Sequence, residues 1–144
     1  MPASYNRLDI RFIYPENWIV SDEQFDEWPH GVTLHSPGGV FWEVQLYPAD
    51  TAPEDLVAKV REAMQEVYAD LESQEVTEEL VDSPTVGLDL RFFCLDFLVT
   101  AHVRSLSREA GTYLFIYQAE SREFDRQEAV FRAITQSLLT SQAG

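Results

Sequence analysis

Apolar and polar residues alternate near the start of the chain, in the period-two pattern of a strand that buries one face. The apolar positions of this pattern are Leu8, Ile10, Phe12 and Tyr14. Pro15 has no backbone N–H to donate, so we expect the strand to end there, and Asn17 favours a turn. The apolar run resumes at Trp18. The sequence therefore predicts a hairpin-like corner near the N-terminus, with Trp18 as its anchor.

A second hairpin is predicted from two short apolar runs that flank a turn. Residues 32–35 predict a short strand, and the Ser-Pro-Gly-Gly sequence of residues 36–39 is typical of a turn. Residues 40–47 then alternate between apolar and more polar positions, which predicts a second strand paired with the first. The buried side of this strand is expected to consist of Trp42, Val44 and Leu46.

A long helix is predicted after this hairpin. Thr51 and Glu54 have the spacing of a capping box, and Pro53 lies in the first turn, where its missing donor costs nothing. Apolar residues then recur at three- and four-residue steps to about residue 73, which predicts an amphipathic helix with one face on a sheet. These residues are Leu56, Val60, Ala63, Met64, Val67 and Leu71.

Four more strands are predicted after the helix. Residues 75–82 are highly charged and suit an edge strand, whereas residues 98–106 and 113–119 are richer in apolar and aromatic residues. The strand that follows residue 82 has one apolar face, formed by Val86, Leu88, Leu90, Phe92 and Cys94. Consecutive strands that are joined by short turns pair in an antiparallel manner.

A closing helix is predicted near the C-terminus, where Asp125 and Glu128 have the spacing of a second capping box. Its apolar stripe consists of Val130, Phe131, Ile134, Leu138 and Leu139. The order of elements is therefore strands, helix, strands, helix. This order predicts an α+β fold in which two amphipathic helices pack on a largely antiparallel sheet.

Composition and charge narrow the classes of partner. The 144 residues are enough for one domain, and a hydrophobic content of 45% predicts a packed core. The formal net charge of -15 repels phosphate backbones and anionic headgroups, so we expect neither nucleic acid nor a membrane as the partner. The charge either maintains solubility or complements a basic protein or a cationic ligand. Because the N-terminus lacks the apolar core of a secretory signal, we expect a cytoplasmic protein, although a trimmed leader would give the same sequence.

No residue pattern in the chain points to catalytic residues, a metal or a cofactor. The three histidines lack the dense spacing of a metal site, and no Gly-x-Ser-x-Gly nucleophile elbow occurs. Cys94 lies in an apolar run, so we expect a buried, unreactive thiol. Asp89 and Asp96 interrupt apolar strands, and we expect Asp96 to lie in a turn. We expect His102 to pair with a nearby acid in a structural role.

Together, several of these elements resemble the PsbP/Mog-like family, which is named for an extrinsic photosystem II subunit and a nuclear-import factor that binds the Ran GTPase. The resemblance rests on Phe-Ile-Tyr-Pro-Glu-Asn-Trp at residues 12–18, the restart at Gly31, the hairpin around residues 37–39, the long helix and the ending at residues 113–137. It implies one domain over residues 1–144, a three-layer α/β/α sandwich and binding rather than catalysis. Family members serve as assembly factors, GTPase-binding proteins or secretion-associated chaperones. No functional residue of the family can be transferred to this chain.

The acidic segment of residues 21–30 is the candidate partner-binding surface. Aromatic rings among carboxylates suit a basic or aromatic motif on a partner protein. The candidate residues are Asp22, Glu23, Phe25, Asp26, Glu27, Trp28 and His30. In the alternative interpretation, this segment only covers an edge of the sheet, and Trp28 packs there as a plug.

Two functions therefore remain open from the sequence. The first is a non-enzymatic adaptor or chaperone-like module that binds a protein partner, basic in character, through an acidic surface. The second is a small-ligand-binding protein or enzyme with a pocket between the sheet and the long helix, near Trp42, Tyr68 and Tyr117. The sequence predicts no cofactor for either function and leaves the oligomeric state open.

Overall fold

The computed structural model of the chain describes residues 2–7, 10–22 and 26–142. These described residues form nine strands and two helices, in the predicted order of strands, helix, strands, helix. In chain order the elements are β1 (Pro2–Arg7), β2 (Ile10–Pro15), β3 (Ile19–Ser21), β4 (His30–His35), β5 (Phe41–Tyr47), α1 (Pro53–Val67), β6 (Glu72–Leu80), β7 (Ser83–Cys94), β8 (Phe97–Arg108), β9 (Gly111–Glu120) and α2 (Ser121–Gln142). The predicted α+β class is confirmed.

Seven of the strands form one antiparallel sheet in the order β3-β4-β5-β9-β8-β7-β6. β1 and β2 form a separate two-stranded hairpin. The charged strand β6 lies at one edge of the large sheet, as the sequence predicts for residues 75–82. The sequence pattern does not predict β1, because its residues are mostly small or polar.

The predicted corner at residues 15–18 joins the two sheets instead of forming a hairpin of its own. β2 pairs with β1, whereas β3 is an edge strand beside β4. The backbone N–H of Trp18 donates to the Pro15 carbonyl at 3.0 Å and closes the turn. The Trp18 ring is buried, and its centroid lies 6.2 Å from that of Phe131 on α2. Trp18 is therefore the anchor that the sequence predicts.

The central strand β9 distributes its side chains between two cores, because successive residues of a strand point to opposite faces. Tyr113, Phe115 and Tyr117 lie on one face, which α2 and the β1–β2 hairpin cover. Leu114 lies on the other face, beneath α1. The molecule therefore has the predicted three layers, with a helix on each side of the sheet.

Aromatic side chains dominate the core beneath α2, where Trp42 and Tyr117 pair across β5 and β9. The Trp42 Nε1–H donates to Thr135 Oγ1 at 2.9 Å, and the Tyr117 hydroxyl lies 2.7 Å from the same oxygen. Thr135 in turn donates to the Phe131 carbonyl at 3.0 Å. Burial raises the pKa of Tyr117 to about 12, so its hydroxyl stays protonated and is able to donate.

The start of α1 differs from its prediction. Its N-cap is Ala52, which makes no side-chain hydrogen bond, so the predicted capping box of Thr51 and Glu54 is wrong. The Thr51 carbonyl instead accepts a hydrogen bond from the Thr112 hydroxyl at 2.6 Å, which ties this turn to β9. Pro53 occupies the first turn, as predicted.

The end of α1 also differs from its prediction. The helix ends at Val67 rather than near residue 73. Tyr68 has extended dihedrals, and its ring centroid lies 4.3 Å from that of Phe92 on β7. Stacking on the sheet therefore takes Tyr68 out of the helix. Of the predicted apolar stripe, Leu56 is fully buried but Val67 is exposed.

α2 begins at Ser121, so the predicted capping box that starts at Asp125 is wrong. The Glu120 carboxylate caps this helix instead, because it accepts the backbone N–H groups of Arg122 at 2.9 Å and Glu123 at 3.2 Å. The bonds from Glu123 and Arg122 lower the pKa of Glu120. The predicted stripe is buried at Phe131, Ile134, Leu138 and Leu139 and half-buried at Val130.

The strand β7 buries Leu88, Leu90 and Phe92 beneath α1, as predicted. Cys94 continues the same alternation but is exposed, so the expectation of a buried thiol is wrong. The reason is that α1 ends at the level of Phe92, whereas the strand continues beyond it. Asp96 lies in the two-residue turn between β7 and β8, as predicted.

Gly87 allows β7 and β8 to approach closely, since an added Cβ atom would lie 2.0 Å from the Val103 carbonyl oxygen and 3.0 Å from Cδ of Arg104. We expect Gly87→Ala to lower the free energy of unfolding by about 2 to 3 kcal/mol. The matched control is Gly31→Ala on β4, where the Cβ atom would meet Gln45 Cγ at 4.0 Å. Its effect should stay below about 1 kcal/mol. Denaturant titrations compare the two variants, and equal losses would contradict the steric explanation.

Thr135→Val preserves the volume of the side chain but removes the acceptor shared by Trp42 and Tyr117. We expect a loss of about 2 to 4 kcal/mol in the free energy of unfolding, because two buried donors lose their partner. Thr140→Val is the control at an exposed position of the same helix, and its effect should stay below about 0.5 kcal/mol. If both variants unfold at the same denaturant concentration, the hydrogen bonds at Thr135 do not stabilise the fold.

Candidate functional site

The candidate partner-binding segment lies between β3 and the start of β4. Asp22 and residues 26–30 belong to the described residues, whereas Glu23 and Phe25 lie outside them. Residues 26–29 are exposed, and His30 is half-buried as the first residue of β4. The described part of the segment therefore lies on the surface at one end of the large sheet.

Arg7 of β1 brings two carboxylates of this segment together. Its Nη1 lies 3.3 Å from Oδ2 of Asp22, and its Nη2 lies 2.5 Å from Oδ1 of Asp26. The Tyr5 hydroxyl also donates to Asp22 at 2.8 Å. Burial is the largest cause that raises the pKa of Tyr5 well above its usual value, and the Asp22 carboxylate raises it further. Tyr5 therefore remains protonated and is able to donate. The segment is therefore less negative than its sequence indicates, because the single positive charge of Arg7 lies between two of its carboxylates.

Trp28 is the most prominent side chain of the segment. The indole is 53% exposed, and its centroid lies 4.2 Å from that of the His30 ring. The contact with His30 holds the indole at the end of the sheet while leaving about half of it open to a partner. Trp28 therefore packs in part against the first residue of β4 and in part faces solvent. Glu27 beside it is also exposed.

A partly buried ionic cluster lies between α2 and the β6 edge, and Arg104 of β8 is at its centre. The Arg104 side chain is only 4% exposed. Its Nε donates to Oε1 of Glu78 at 2.6 Å, and its Nη2 donates to Oδ1 of Asp89 at 2.9 Å. Its Nη1 donates to the carbonyl oxygens of Leu88 at 3.2 Å and Val103 at 2.9 Å. All three guanidinium nitrogens therefore donate hydrogen bonds to groups of the sheet.

Glu78 connects this cluster to α2. Its second carboxylate oxygen lies 3.3 Å from Nη2 of Arg132. Burial acts to raise the pKa of Glu78, but Arg104 and Arg132 outweigh it, and the pKa lies below its usual value. Glu78 is therefore ionised at neutral pH and links the middle of α2 to the edge strand.

His102 completes the cluster. Its Nε2 lies 3.4 Å from Oδ1 of Asp89, and its ring centroid lies 4.5 Å from that of Phe124 on α2. Burial lowers the pKa of His102 and outweighs the attraction of Asp89. His102 therefore lies beside an acid, as the sequence predicts. The sequence analysis did not find Arg104, although an arginine within a long apolar strand is a signal of such a site.

The pocket proposed from the sequence does not exist as predicted, because its three residues lie on opposite faces of the sheet. Trp42 and Tyr117 are buried beneath α2, where Thr135 fills the space between them. Tyr68 lies on the α1 face and stacks on Phe92. The space between the sheet and either helix is filled by side chains at these positions.

A groove of about 750 Å³ lies elsewhere, between α2 and the β2 corner. Its lining is mostly apolar and includes Ile13, Pro15, Val130, Ala133 and Ser137. The Ser137 hydroxyl already accepts the Ile13 N–H at 2.9 Å and donates to the Ile134 carbonyl at 2.8 Å. The groove therefore offers mostly apolar surface, and its polar lining residues are Tyr14, Glu16, Asn17 and Ser137.

His30 and His35 lie at the two ends of β4, roughly 16 Å apart along the strand, and cannot share one metal ion. Within residues 2–7, 10–22 and 26–142, no group of three or more His, Cys, Asp or Glu side chains is arranged to hold a metal. In the same part of the chain, no helix has the length and apolar character needed to cross a membrane.

The structure also shows an apolar surface that the sequence analysis missed. Phe93, Leu95 and Phe97 are exposed at the turn between β7 and β8. Their signal in the sequence is an apolar run that continues through a predicted turn at Asp96 instead of ending before it.

His102 should make the stability of the fold sensitive to mild acid. Its folded pKa lies below the ordinary value of 6.5, so the native state favours the neutral ring. The contribution of the neutral His102 ring to the free energy of unfolding is therefore complete above pH 6.5. It is lost as the pH falls toward the folded pKa of His102. We expect wild type to lose more unfolding free energy than His102→Gln between pH 7 and about pH 5. His35→Gln alters an exposed histidine and is the control, so its unfolding free energy should change with pH as that of wild type does. If all three proteins had the same pH dependence, His102 would not be the source of the acid sensitivity.

Comparison with known proteins adds information on the fold. No protein-family model matches the chain, and no curated protein of similar sequence was found. Among solved structures, the cyanobacterial PsbP protein CyanoP from Synechocystis sp. PCC 6803 matches with a TM-score of 0.62 and 14% identity. That match covers 94% of this chain and 90% of CyanoP.

Two further solved structures are similar. One is PA94 from Pseudomonas aeruginosa, a protein of unknown function described as a candidate regulator, with a TM-score of 0.55, 10% identity and coverage of 94% of both chains. The other is LpqN of Mycobacterium tuberculosis, which is involved in cell envelope biogenesis, with a TM-score of 0.50 and 9% identity over 93% of this chain and 87% of LpqN. At such low identities the similarity concerns the fold alone: the chain has a PsbP-like fold.

Proposed function

We propose that this chain is a non-enzymatic protein-binding module, with an adaptor or chaperone-like role, and that Trp28 anchors its protein partner. The observation that carries the proposal is the Trp28 indole, which is 53% exposed and held against His30. Tryptophan is enriched among the residues that dominate the binding energy of protein interfaces. An exposed indole at a fixed position is therefore suited to fill a pocket on another protein.

The contacts of Arg7 support this role by restraining the chain next to the anchor. Asp26 lies two residues before Trp28, and its carboxylate is bound by Arg7. A segment that is already restrained loses less conformational entropy when it binds, and this favours affinity. The ion pairs of Arg7 with Asp22 and Asp26 are solvent-exposed, so they contribute little to folding itself.

We propose that the partner presents a basic surface. The net charge of -15 creates a negative field that attracts such a partner and speeds its association, especially at low salt. Because Arg7 already engages Asp22 and Asp26, this attraction comes from the acidic surface as a whole. The exposed Glu27 places one carboxylate directly beside the Trp28 anchor.

The solved structures with the same fold are compatible with a binding role. They include a cyanobacterial PsbP, a candidate regulator and a protein involved in cell envelope biogenesis. Because their identities with this chain are low, they support the class of function and identify no partner.

The rival function, binding of a small ligand, has less support. The groove between α2 and the β2 corner has a suitable volume, about 750 Å³, but its lining is mostly apolar. Small-ligand sites combine such surface with a few convergent polar groups. Ser137, one of the polar residues at the groove, already bonds to Ile13 and Ile134.

Affinity capture from lysate of the source cells, with quantitative mass spectrometry, tests the role of Trp28. We expect Trp28→Ala to reduce recovery of the proteins captured by wild type by at least about tenfold, as loss of a central aromatic anchor does. The matched control is Ile19→Ala, because Ile19 is 69% exposed on β3 but lies outside the segment. It should capture the same proteins as wild type.

Trp28→Ala and Ile19→Ala alter exposed side chains, so both variants should unfold at the same denaturant concentration as wild type. Asp26→Ala frees the chain from Arg7 and should weaken capture less than Trp28→Ala does. Equal recovery of the same proteins by wild type and by folded Trp28→Ala would show that Trp28 is not the anchor.

A further inference from the structure

The end of the β7–β8 hairpin exposes three large apolar side chains, and we name residues 93–97 the hairpin tip. Leu95 is 90% exposed, Phe93 is 60% exposed and Phe97 is 59% exposed. Phe97 pairs with Cys94 and Phe93 pairs with Leu98, so the two rings lie on opposite faces of the hairpin, with Leu95 in the turn between the strands. Exposed apolar side chains that are grouped in this way often mark a site of interaction.

The backbone conformation at Leu95 in the hairpin tip is also unfavourable for a leucine. Leu95 has a φ of 57°, in the left-handed region that glycine, asparagine and aspartate adopt more easily in two-residue turns. Val81 has a φ of 48° in the β6–β7 turn, but its side chain packs against the core. Leu95 gains no such burial. Folding alone therefore does not account for a leucine at this position.

Two other hairpin turns of the large sheet are built differently, and in the β6–β7 turn the apolar Val81 packs against the core. The β4–β5 turn has the sequence Ser-Pro-Gly-Gly at residues 36–39, and the β8–β9 turn has Glu-Ala at residues 109–110. Both contain small, polar or charged residues, as is usual for exposed turns. The apolar character of the hairpin tip is therefore a property of this turn and not of the sheet in general.

The base of the hairpin tip is well packed. Phe92 and Val99 pair across β7 and β8, and both are buried. Tyr68, which follows α1, stacks on Phe92 with 4.3 Å between the ring centroids. The exposed side chains thus project from an ordered support, so docking them would cost little additional conformational entropy.

The surroundings of the hairpin tip are mainly negative. Asp96 lies in the turn itself, between Leu95 and Phe97, and is exposed. α1 directs its C-terminal end, the negative end of its dipole, toward this region and has no basic residue in its last turn. Arg91 of β7 is a nearby exposed cation, and Glu72 lies opposite it on β6 in the sheet register.

We propose that the hairpin tip docks on an apolar surface of a protein partner that is flanked by basic residues. Leu95 and one of the two phenylalanines would pack on this surface, and a flanking basic group would bind Asp96. Anionic lipid would be repelled by the surrounding negative charge, and a second copy of this chain would place like charges against each other.

This surface is separate from the one at Trp28. His30 aligns with Leu46, Tyr113 and Leu106 across the sheet. Leu106 lies nine positions from Phe97 along β8, which corresponds to roughly 30 Å. The two surfaces therefore lie at opposite ends of the strands, and the present proposal does not depend on the role of Trp28.

The test uses a fluorescein-labelled amphipathic helical peptide of leucine and lysine as the probe, with fluorescence anisotropy as the readout. Two further peptides replace lysine by glutamine or by glutamate. We expect wild type to bind the lysine peptide most tightly and the glutamate peptide least tightly. We expect Leu95→Asn to bind the lysine peptide at least about tenfold more weakly. This variant keeps the net charge of -15, and asparagine adopts a positive φ more readily than leucine does, so its stability should stay close to that of wild type.

Two controls localise the binding. Ile19→Asn changes another exposed apolar residue, on the β3 edge, and should bind the lysine peptide like wild type. Cys94 is the single cysteine of the chain and lies exposed within the hairpin tip. The bound lysine peptide should therefore slow the reaction of Cys94 with a maleimide several-fold in wild type and leave the rate unchanged in Leu95→Asn.

Several results would overturn the proposal. Equal binding of the lysine peptide by Leu95→Asn and wild type would mean that net charge alone attracts it, and absence of binding by wild type would remove the docking surface. Leu95-dependent binding to vesicles of phosphatidylcholine with one quarter phosphatidylglycerol, or Leu95-dependent self-association, would assign a different occupant. Trp28→Ala should bind the lysine peptide like wild type. If it alone lost binding, the result would favour the Trp28 surface over the hairpin tip.

Discussion

Burial of the central strand β9 on both of its faces is the constraint on which the rest of the structure depends. Tyr113, Phe115 and Tyr117 require cover on one face, and Leu114 and Ile116 require it on the other. Because exposure of either apolar face to water is unfavourable, a helix has to pack on each side of the sheet. The three-layer arrangement therefore follows from the composition of one strand and from its position between β5 and β8.

One helix on each face is too narrow to cover the seven-stranded sheet. Strands about 4.8 Å apart give a sheet roughly 30 Å wide, whereas a helix is about 10 Å across. On the α2 face, the β1–β2 hairpin covers part of the remaining area with rings such as Phe12. Toward the β6 edge, the ionic cluster of Arg104 takes the place of an apolar core. The far end of the β7–β8 hairpin has no such cover, and Leu95 is exposed there.

The candidate surfaces follow from this uneven cover. Arg104 is buried, Asp89 and His102 are half-buried, and all three contact one another or the sheet, so their polar groups are engaged within the fold. The large exposed side chains lie instead at the ends of the strands, Trp28 at one end and Leu95 at the other. A module with an anchor at each end would be able to hold two proteins in one assembly, which is the function of an adaptor.

The sequence by itself determined the α+β class, the order of the elements and the buried faces of β5 and β7, because periods of two and 3.6 residues are properties of local residue order. Tertiary structure decided where the helices end, since Tyr68 leaves α1 to stack on the sheet and Glu120 replaces the predicted cap of α2. It also decided the charge of the candidate site, because Arg7 reaches Asp22 across 15 positions of the chain. The exposure of Cys94 likewise depends on where α1 stops. Contacts between residues far apart in sequence leave no periodic signal, so only the folded chain determines them.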